Sequence, residues 1–173
     1  MKRTLGILFI VFISLVLIAG CTEEKPPGEE LKIGVVASMT GSASTTGKDI
    51  WQSAELAADE INADGGVYVA DLGKKVPIRL VQGDDESTRE GGQKAVSRMI
   101  TQDNVDILVG GFSSAVVSAH QQIVAEHKVP YIITGASTPI ITRRTDVDTT
   151  YMFHHAPTCD DSGSQIILFL DDT

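Results

Sequence analysis

Two short runs carry most of the chemistry available to this chain. Gly110-Gly111-Phe112-Ser113-Ser114 and Thr134-Gly135-Ala136-Ser137-Thr138 each set glycine beside hydroxyl side chains. Glycine lets backbone approach a ligand closely. A serine at a helix start sits among unpaired N–H groups, at the positive end of the helix dipole. Donors of this kind suit a small anion such as a carboxylate. The same residues also fit a plainer reading, in which Ser113 or Ser114 caps its helix and Ser137-Thr138 merely turn the chain. Local pattern leaves both open.

Other combinations fail on spacing. Gly41 to Lys48-Asp49 looks like a phosphate loop, but five residues separate Gly41 from Gly47 where four are needed. Asp49 also stands where the magnesium-binding hydroxyl belongs. Asp84-Asp85 mimics the ribose-binding acid of dinucleotide folds, yet no Gly-x-Gly-x-x-Gly follows the first strand, so these read as loop acids near a helix cap. His120 and His127 share a helix side, and His154 and His155 are adjacent. None of them joins acids or cysteines at a metal-ligand spacing, so neither a metal nor a cofactor is expected. Besides Cys21 the only cysteine is Cys159, which excludes an internal disulfide framework and a cysteine-based zinc site. No nucleophile–base pair stands out, so the chain is not expected to be an enzyme.

The elements that must position these loops follow from periodicity. Leu31–Ala37 is a nearly continuous apolar run, suited to a strand buried on both faces. Lys48–Ala63 is helical, with Ile50, Ala54, Ala57, Ala58 and Ile61 on one stripe, and Asp64-Gly65-Gly66 ends it. Val76–Val81 is the second strand. Ser87-Thr88-Arg89-Glu90 fits a capping box opening a helix with Ala95, Val96, Met99 and Ile100 inward. Val105–Val109 is the third strand. The helix after Ser113-Ser114 turns Val116, Ala119, Ile123 and Val124 inward. Val129–Ile133 is the fourth strand and Tyr151–His155 a short fifth. Strands alternating with helices at this rhythm predict a doubly wound parallel α/β sheet. Ligands of such sheets sit beyond the carboxyl ends of the strands, which selects the loops Ser38–Gly47, Gly110–Ser114 and Gly135–Thr138.

The amino terminus reads as an address. Met1-Lys2-Arg3 is a positive n-region, Leu5–Ile18 an apolar run too short to span comfortably, and Ile18-Ala19-Gly20-Cys21 a run of small residues before a cysteine. Residues 1–20 are thus expected to be a lipoprotein signal peptide, with Cys21 carrying the lipid. Residues 21–30 are polar, contain Pro and Gly, and form a tether. The protein is then extracytoplasmic and held at the membrane by lipid rather than by a spanning helix. Removing Lys2 and Arg3 from the 14 basic residues leaves 12 against 23 acidic ones, a formal charge of −11. That balance argues against nucleic acid as a partner.

A resemblance sharpens this. Ile33-Gly34-Val35-Val36, Met39-Thr40-Gly41, Gly47, Ala54, Ala57, Ile61-Asn62-Ala63 and Gly65-Gly66 together resemble the branched-chain amino acid binding proteins of ABC importers. The likeness continues through Asp84-Asp85, Val105–Ser114 and Pro130–Thr138. It implies a type I periplasmic-binding fold, two α/β lobes closing on an amino acid or a similar small carboxylate and delivering it to an ABC permease. It also implies that Ser114, or Ser113 in the alternative register, gives a hydroxyl to the ligand carboxylate. Ala136 supplies a backbone group and Thr138 a hydroxyl to the amino acid head. The tyrosine that often lines the family's first loop is missing and Thr46 stands near its position, beside Gly47, which opens the ligand identity to amides, short-chain acids and aromatic compounds. On this resemblance residues 31–157 are the N-terminal lobe. Residues 158–173 are the hinge and the start of a second lobe, with Ala156-Pro157-Thr158 the first crossing and Ile166, Ile167, Phe169 and Leu170 a core-facing stripe. The expectation is an apparently truncated first lobe that alone binds ligand at roughly millimolar or weaker affinity. The alternatives are a ligand-sensing receptor ectodomain of the same fold and a non-functional truncated gene product.

Overall fold

The computed structural model describes residues 30–171. The expected signal peptide, Cys21 and all of the expected tether except Glu30 lie outside the described residues. The chain runs β1 (Leu31–Ala37), α1 (Ser44–Ala63), β2 (Val67–Val69), β3 (Lys74–Val76), β4 (Ile78–Asp84), α2 (Arg89–Thr101), β5 (Ile107–Gly110), α3 (Ser114–His127), β6 (Tyr131–Ile133), α4 (Ile140–Arg143), β7 (Met152–His154) and α5 (Cys159–Asp171).

Five strands form one sheet in the order β4-β1-β5-β6-β7, and every pair in it is parallel. The side-chain alternation of strands assigns its two faces. Gly34 and Val36 of β1, Leu108 of β5, Tyr131 and Ile133 of β6 and Met152 of β7 point to the face covered by α2 and α3. There they join Val96, Met99, Val117 and Val124 in the main core. Gly34 and Gly83 leave room on this face for the Leu108 and Met99 side chains, whose ends a Cβ at either position would displace.

The opposite face is partly covered. The register aligns Val35, Val109, Ile132 and Phe153 in one row across the sheet. Helix α1 packs at the β1 and β4 end, where Val35 is fully buried. Towards the other edge the row opens, and Ile132 and Phe153 are 40% and 52% exposed.

Several local features differ from the sequence expectations, among them the stripe of α1, where Ala58 is buried but Ala57 and Ile61 are exposed. Helix α1 starts at Ser44, a turn before Lys48. Its first residues are poor helix formers, but the Ala43 N–H donates to the Ser87 hydroxyl at 3.0 Å and Gly41 takes φ +81°, so tertiary contacts set the start. The expected second strand divides at Pro77. Before it, β2 and β3 pair as an antiparallel hairpin with Val67 opposite Val76, and Gly73 closes the turn at φ +62°. After it, β4 enters the main sheet. Proline cannot donate to a ladder, so the break falls there. The cap of α2 is Thr88, whose hydroxyl accepts from the Gly91 N–H at 2.9 Å, while Ser87 reaches across to the β1–α1 loop instead of closing a box with Glu90.

Helix α5 opens with the Thr158 N–H and hydroxyl both donating to the Asp161 carboxylate, at 2.9 and 2.7 Å. None of its described side chains is buried, and Ile166 to Leu170 are all well exposed. Among the described residues no helix is long and apolar enough to cross a membrane.

Candidate functional site

The sheet reverses its winding between β1 and β5. From β1 the chain proceeds to β4 on one side, and from there to β5, β6 and β7 on the other. Loops at the carboxyl ends of β1 and β5 therefore part to opposite faces and leave a crevice between them.

Each loop is held by specific bonds. In the β1–α1 loop, the Met39 N–H donates to the Asp84 carboxylate at 2.9 Å and the Thr40 hydroxyl at 2.8 Å. Partial burial pushes the Asp84 carboxyl up, but hydrogen bonds from Glu86, Thr40 and Met39 outweigh it and hold the group below the usual carboxylate range. The Ser38 hydroxyl donates to Asp85 at 2.5 Å, and both residues are fully buried. The two acids thus staple β4 to the β1 loop. Glu86 and Ser87 pay for this turn with left-handed backbone, φ 53° and 56°.

The β5 loop turns through Gly110 at φ +110° and Gly111 at φ +79°. A Cβ on Gly110 would lie 2.2 Å from the Val36 carbonyl oxygen, so glycine is required there. Gly111 then accepts from the N–H groups of Gly135 and Ala136 at 3.1 and 3.0 Å, and Gly110 accepts from Thr134 at 2.9 Å. The two donor-rich runs are bound to each other as one rim.

A cleft of about 630 Å³ opens at this rim and continues along α1. Thr46, Phe112, Thr134, Gly135 and His155 line its upper end, while Ile50, Ala54, Ala57 and Val109 line the lower end between α1 and the sheet. Thr46 is thus brought to the cleft from the first turn of α1. Ser113 and Ser114 follow Phe112 directly at the start of α3. Ser113 occupies the N-cap position, yet its side chain makes no capping hydrogen bond. Ala136 is buried and its N–H is spent on Gly111, which leaves its carbonyl as the backbone group it can offer. Thr138 is half-buried at the far end of the same loop, where its carbonyl accepts from Ile141. Ser113, Ser114, Ala136 and Thr138 adjoin the cleft through Phe112 and Gly135 rather than lining it.

Two further residues line the cleft, Thr134 from the donor-rich run and His155, which sequence reasoning missed. Thr134 has a buried hydroxyl without a hydrogen-bond partner. His155 enters from the end of β7, its N–H donating to Ile133 at 3.1 Å. Only the pairing of β6 with β7 brings it to the cleft, and no local motif marks it. Among the described residues no group of three or more His, Cys, Asp or Glu side chains converges as metal ligands would.

Comparison with known proteins gives these loops a context. The family model described as periplasmic binding protein matches residues 30–170. A Leu/Ile/Val-binding protein homolog from Brucella abortus is 34% identical over 119 residues, covering 69% of this chain and 28% of that protein. An amino acid binding protein from Pseudomonas aeruginosa is 30% identical over 115 residues, 66% of this chain and 29% of the relative. Among solved structures, the branched-chain amino acid transporter substrate-binding protein LivJ of Streptococcus pneumoniae, in complex with isoleucine, superposes with a TM-score of 0.65 at 28% identity. That match covers 75% of this chain and 34% of the other. A solute-binding protein of an ABC transporter from Rhodopseudomonas palustris, in complex with 3,4-dihydroxybenzoic acid, gives 0.62 at 26% identity, covering 76% and 33%. The chain spans roughly a third or less of the length of each of these proteins.

Proposed function

Because the chain belongs to the periplasmic binding protein family and has the α/β architecture of the N-terminal lobe of its type I fold, we propose that it captures an amino acid or a similar small carboxylate outside the cytoplasm and presents it to an ABC permease. The observation that carries this reading is the rim at the winding reversal. Two hydroxyl-rich loops are locked together there by three backbone hydrogen bonds, beside a cleft with an unpartnered Thr134 hydroxyl. Such a rim is rigid before ligand arrives, which lowers the cost of binding.

On this reading Ser114 donates its hydroxyl to the ligand carboxylate, with Ser113 as the neighbouring register. Ser113 is free for the task because it does not cap α3. The Ala136 carbonyl accepts from the ligand's amino group, the Thr138 hydroxyl adds a polar contact, and Thr46 lines the entrance. No side chain needs to transfer a proton or form a bond with the ligand, so the role is binding and not catalysis. The lipid on Cys21 keeps the protein beside the permease at the membrane surface.

Two measurements on the natural product test the proposal together. The intact mass of the protein extracted from host membranes is expected to include lipid on Cys21. Deletion of the gene is expected to abolish high-affinity uptake of a small carboxylate. Unmodified protein in the soluble fraction, with uptake unchanged across amino acids and aromatic acids, would overturn the reading.

A further inference from the structure

A second polar site lies inside the core, beneath the rim. Asp85 follows β4, His120 lies on α3 and Tyr131 opens β6, and all three are fully buried. One carboxylate oxygen of Asp85 (Oδ2), both ring nitrogens of His120 and the Tyr131 hydroxyl have no hydrogen-bond partner in the protein. The groups belong to one cluster. The His120 and Tyr131 rings are 5.6 Å apart, and a Cβ placed on Gly92 would be 3.1 Å from His120 Nδ1 and 3.7 Å from Asp85 Cβ. The charge of Asp85 also reaches Tyr131 and, after burial, pushes its hydroxyl up.

Buried polar groups are almost always paired, and polar groups facing one another beyond direct hydrogen-bond reach are commonly bridged by water. The donor and acceptor inventory here is mixed. Asp85 Oδ2 needs a donor, Tyr131 offers one, and a neutral imidazole offers one donor and one acceptor. A metal would want acceptors throughout, whereas water satisfies both kinds. Glycine at position 92 keeps the space between Asp85 and His120 free of a side chain.

We infer that Asp85, His120 and Tyr131 bind at least one internal water. That water completes a tie running from the β1 loop, through Ser38 and Asp85, to α3 and β6. Its consequence reaches the rim: Gly111 packs directly above Tyr131, a Cβ there falling 2.3 Å from the Tyr131 hydroxyl oxygen. The tie holds the carboxyl-end loops of β1, β4 and β5 in one register. It is independent of which ligand the rim takes.

A crystal structure of the chain at about 1.5 Å is expected to show a water within ordinary hydrogen-bond distance of Asp85 Oδ2 and of His120 or Tyr131. Direct Asp85–Tyr131 or Asp85–His120 bonds that close the site, or a cation with short contacts to several oxygens, would overturn the inference. In solution, Tyr131→Phe keeps the ring and removes one water ligand. Exchange of the Ser87 amide, which donates to Asp85 at 2.8 Å, is then expected to quicken about tenfold relative to amides in α1. Uniform acceleration across the core, or none at Ser87, would contradict the tie.

Discussion

His120 offers a quantitative test of the buried cluster. It is fully buried, and burial alone lowers its imidazole from the usual 6.5 to about 4. The groups facing it are Asp85 from the β4–α2 turn and Tyr131 from β6. Between those two pH values the unfolded chain holds a proton that the folded chain refuses. Stability is therefore complete above about pH 6.5 and is lost as the pH falls towards 4. Integrated over that window the loss is about 3 kcal/mol, a large share of a domain's total. Urea unfolding of the wild-type chain and of His120→Gln between pH 7 and pH 4 isolates the contribution, since carboxylate titrations common to both cancel. The wild type is expected to lose about 3 kcal/mol more than the variant across the range. The ring-proton shifts of His120 should also show no titration above pH 5. Parallel stability curves, or an imidazole titrating near 6.5, would refute the argument by showing that the site accommodates the charge despite its burial.

Three further outcomes are expected. Gly111→Ala should destabilise by about 2–4 kcal/mol, because position 111 needs φ +79° and the new methyl meets the Tyr131 hydroxyl oxygen at 2.3 Å; thermal denaturation reads it. Thr88→Ala should cost about 1 kcal/mol and Ser113→Ala within about 0.5 kcal/mol in chemical denaturation, since Thr88 alone of the two makes its capping bond. Phe153→Ser should leave the melting temperature of this chain almost unchanged, because Phe153 is 52% exposed, whereas Met152→Ser on the buried face should lower it sharply.

Much of the fold was legible because burial is periodic. The apolar run of β1, the stripe of α2 and the Asp64-Gly65-Gly66 stop all stand where the sequence puts them, and the parallel sheet follows from their alternation. The hairpin escaped because its strands have three residues each, too few for a period to register. The first turn of α1 escaped because Ser44, Thr45 and Thr46 have weak helix propensity and depend on Ser87, far along the chain. Val117 and His120 were buried beyond expectation, while Ala119 and Ile123 are only partly so; α3 packs beside α2 on the same face of the sheet, and the angle of its stripe is fixed by those neighbours. The two rim loops were legible as local composition. Thr134 as an unpartnered donor, His155 as a lining residue and the Asp85–His120–Tyr131 cluster were not, because each depends on which strands lie side by side.

The central claim is that the rim at the carboxyl ends of β1, β5 and β6 holds a small carboxylate. Calorimetric titration of the natural protein with a panel of amino acids and aromatic carboxylates tests it most directly, with Ser114→Ala and Ser113→Ala as paired variants. The account predicts that one panel member binds and that its affinity falls about tenfold or more on loss of the hydroxyl at 114, with the melting temperature little changed. A ligand bound equally well by the wild type and by both serine variants would contradict it.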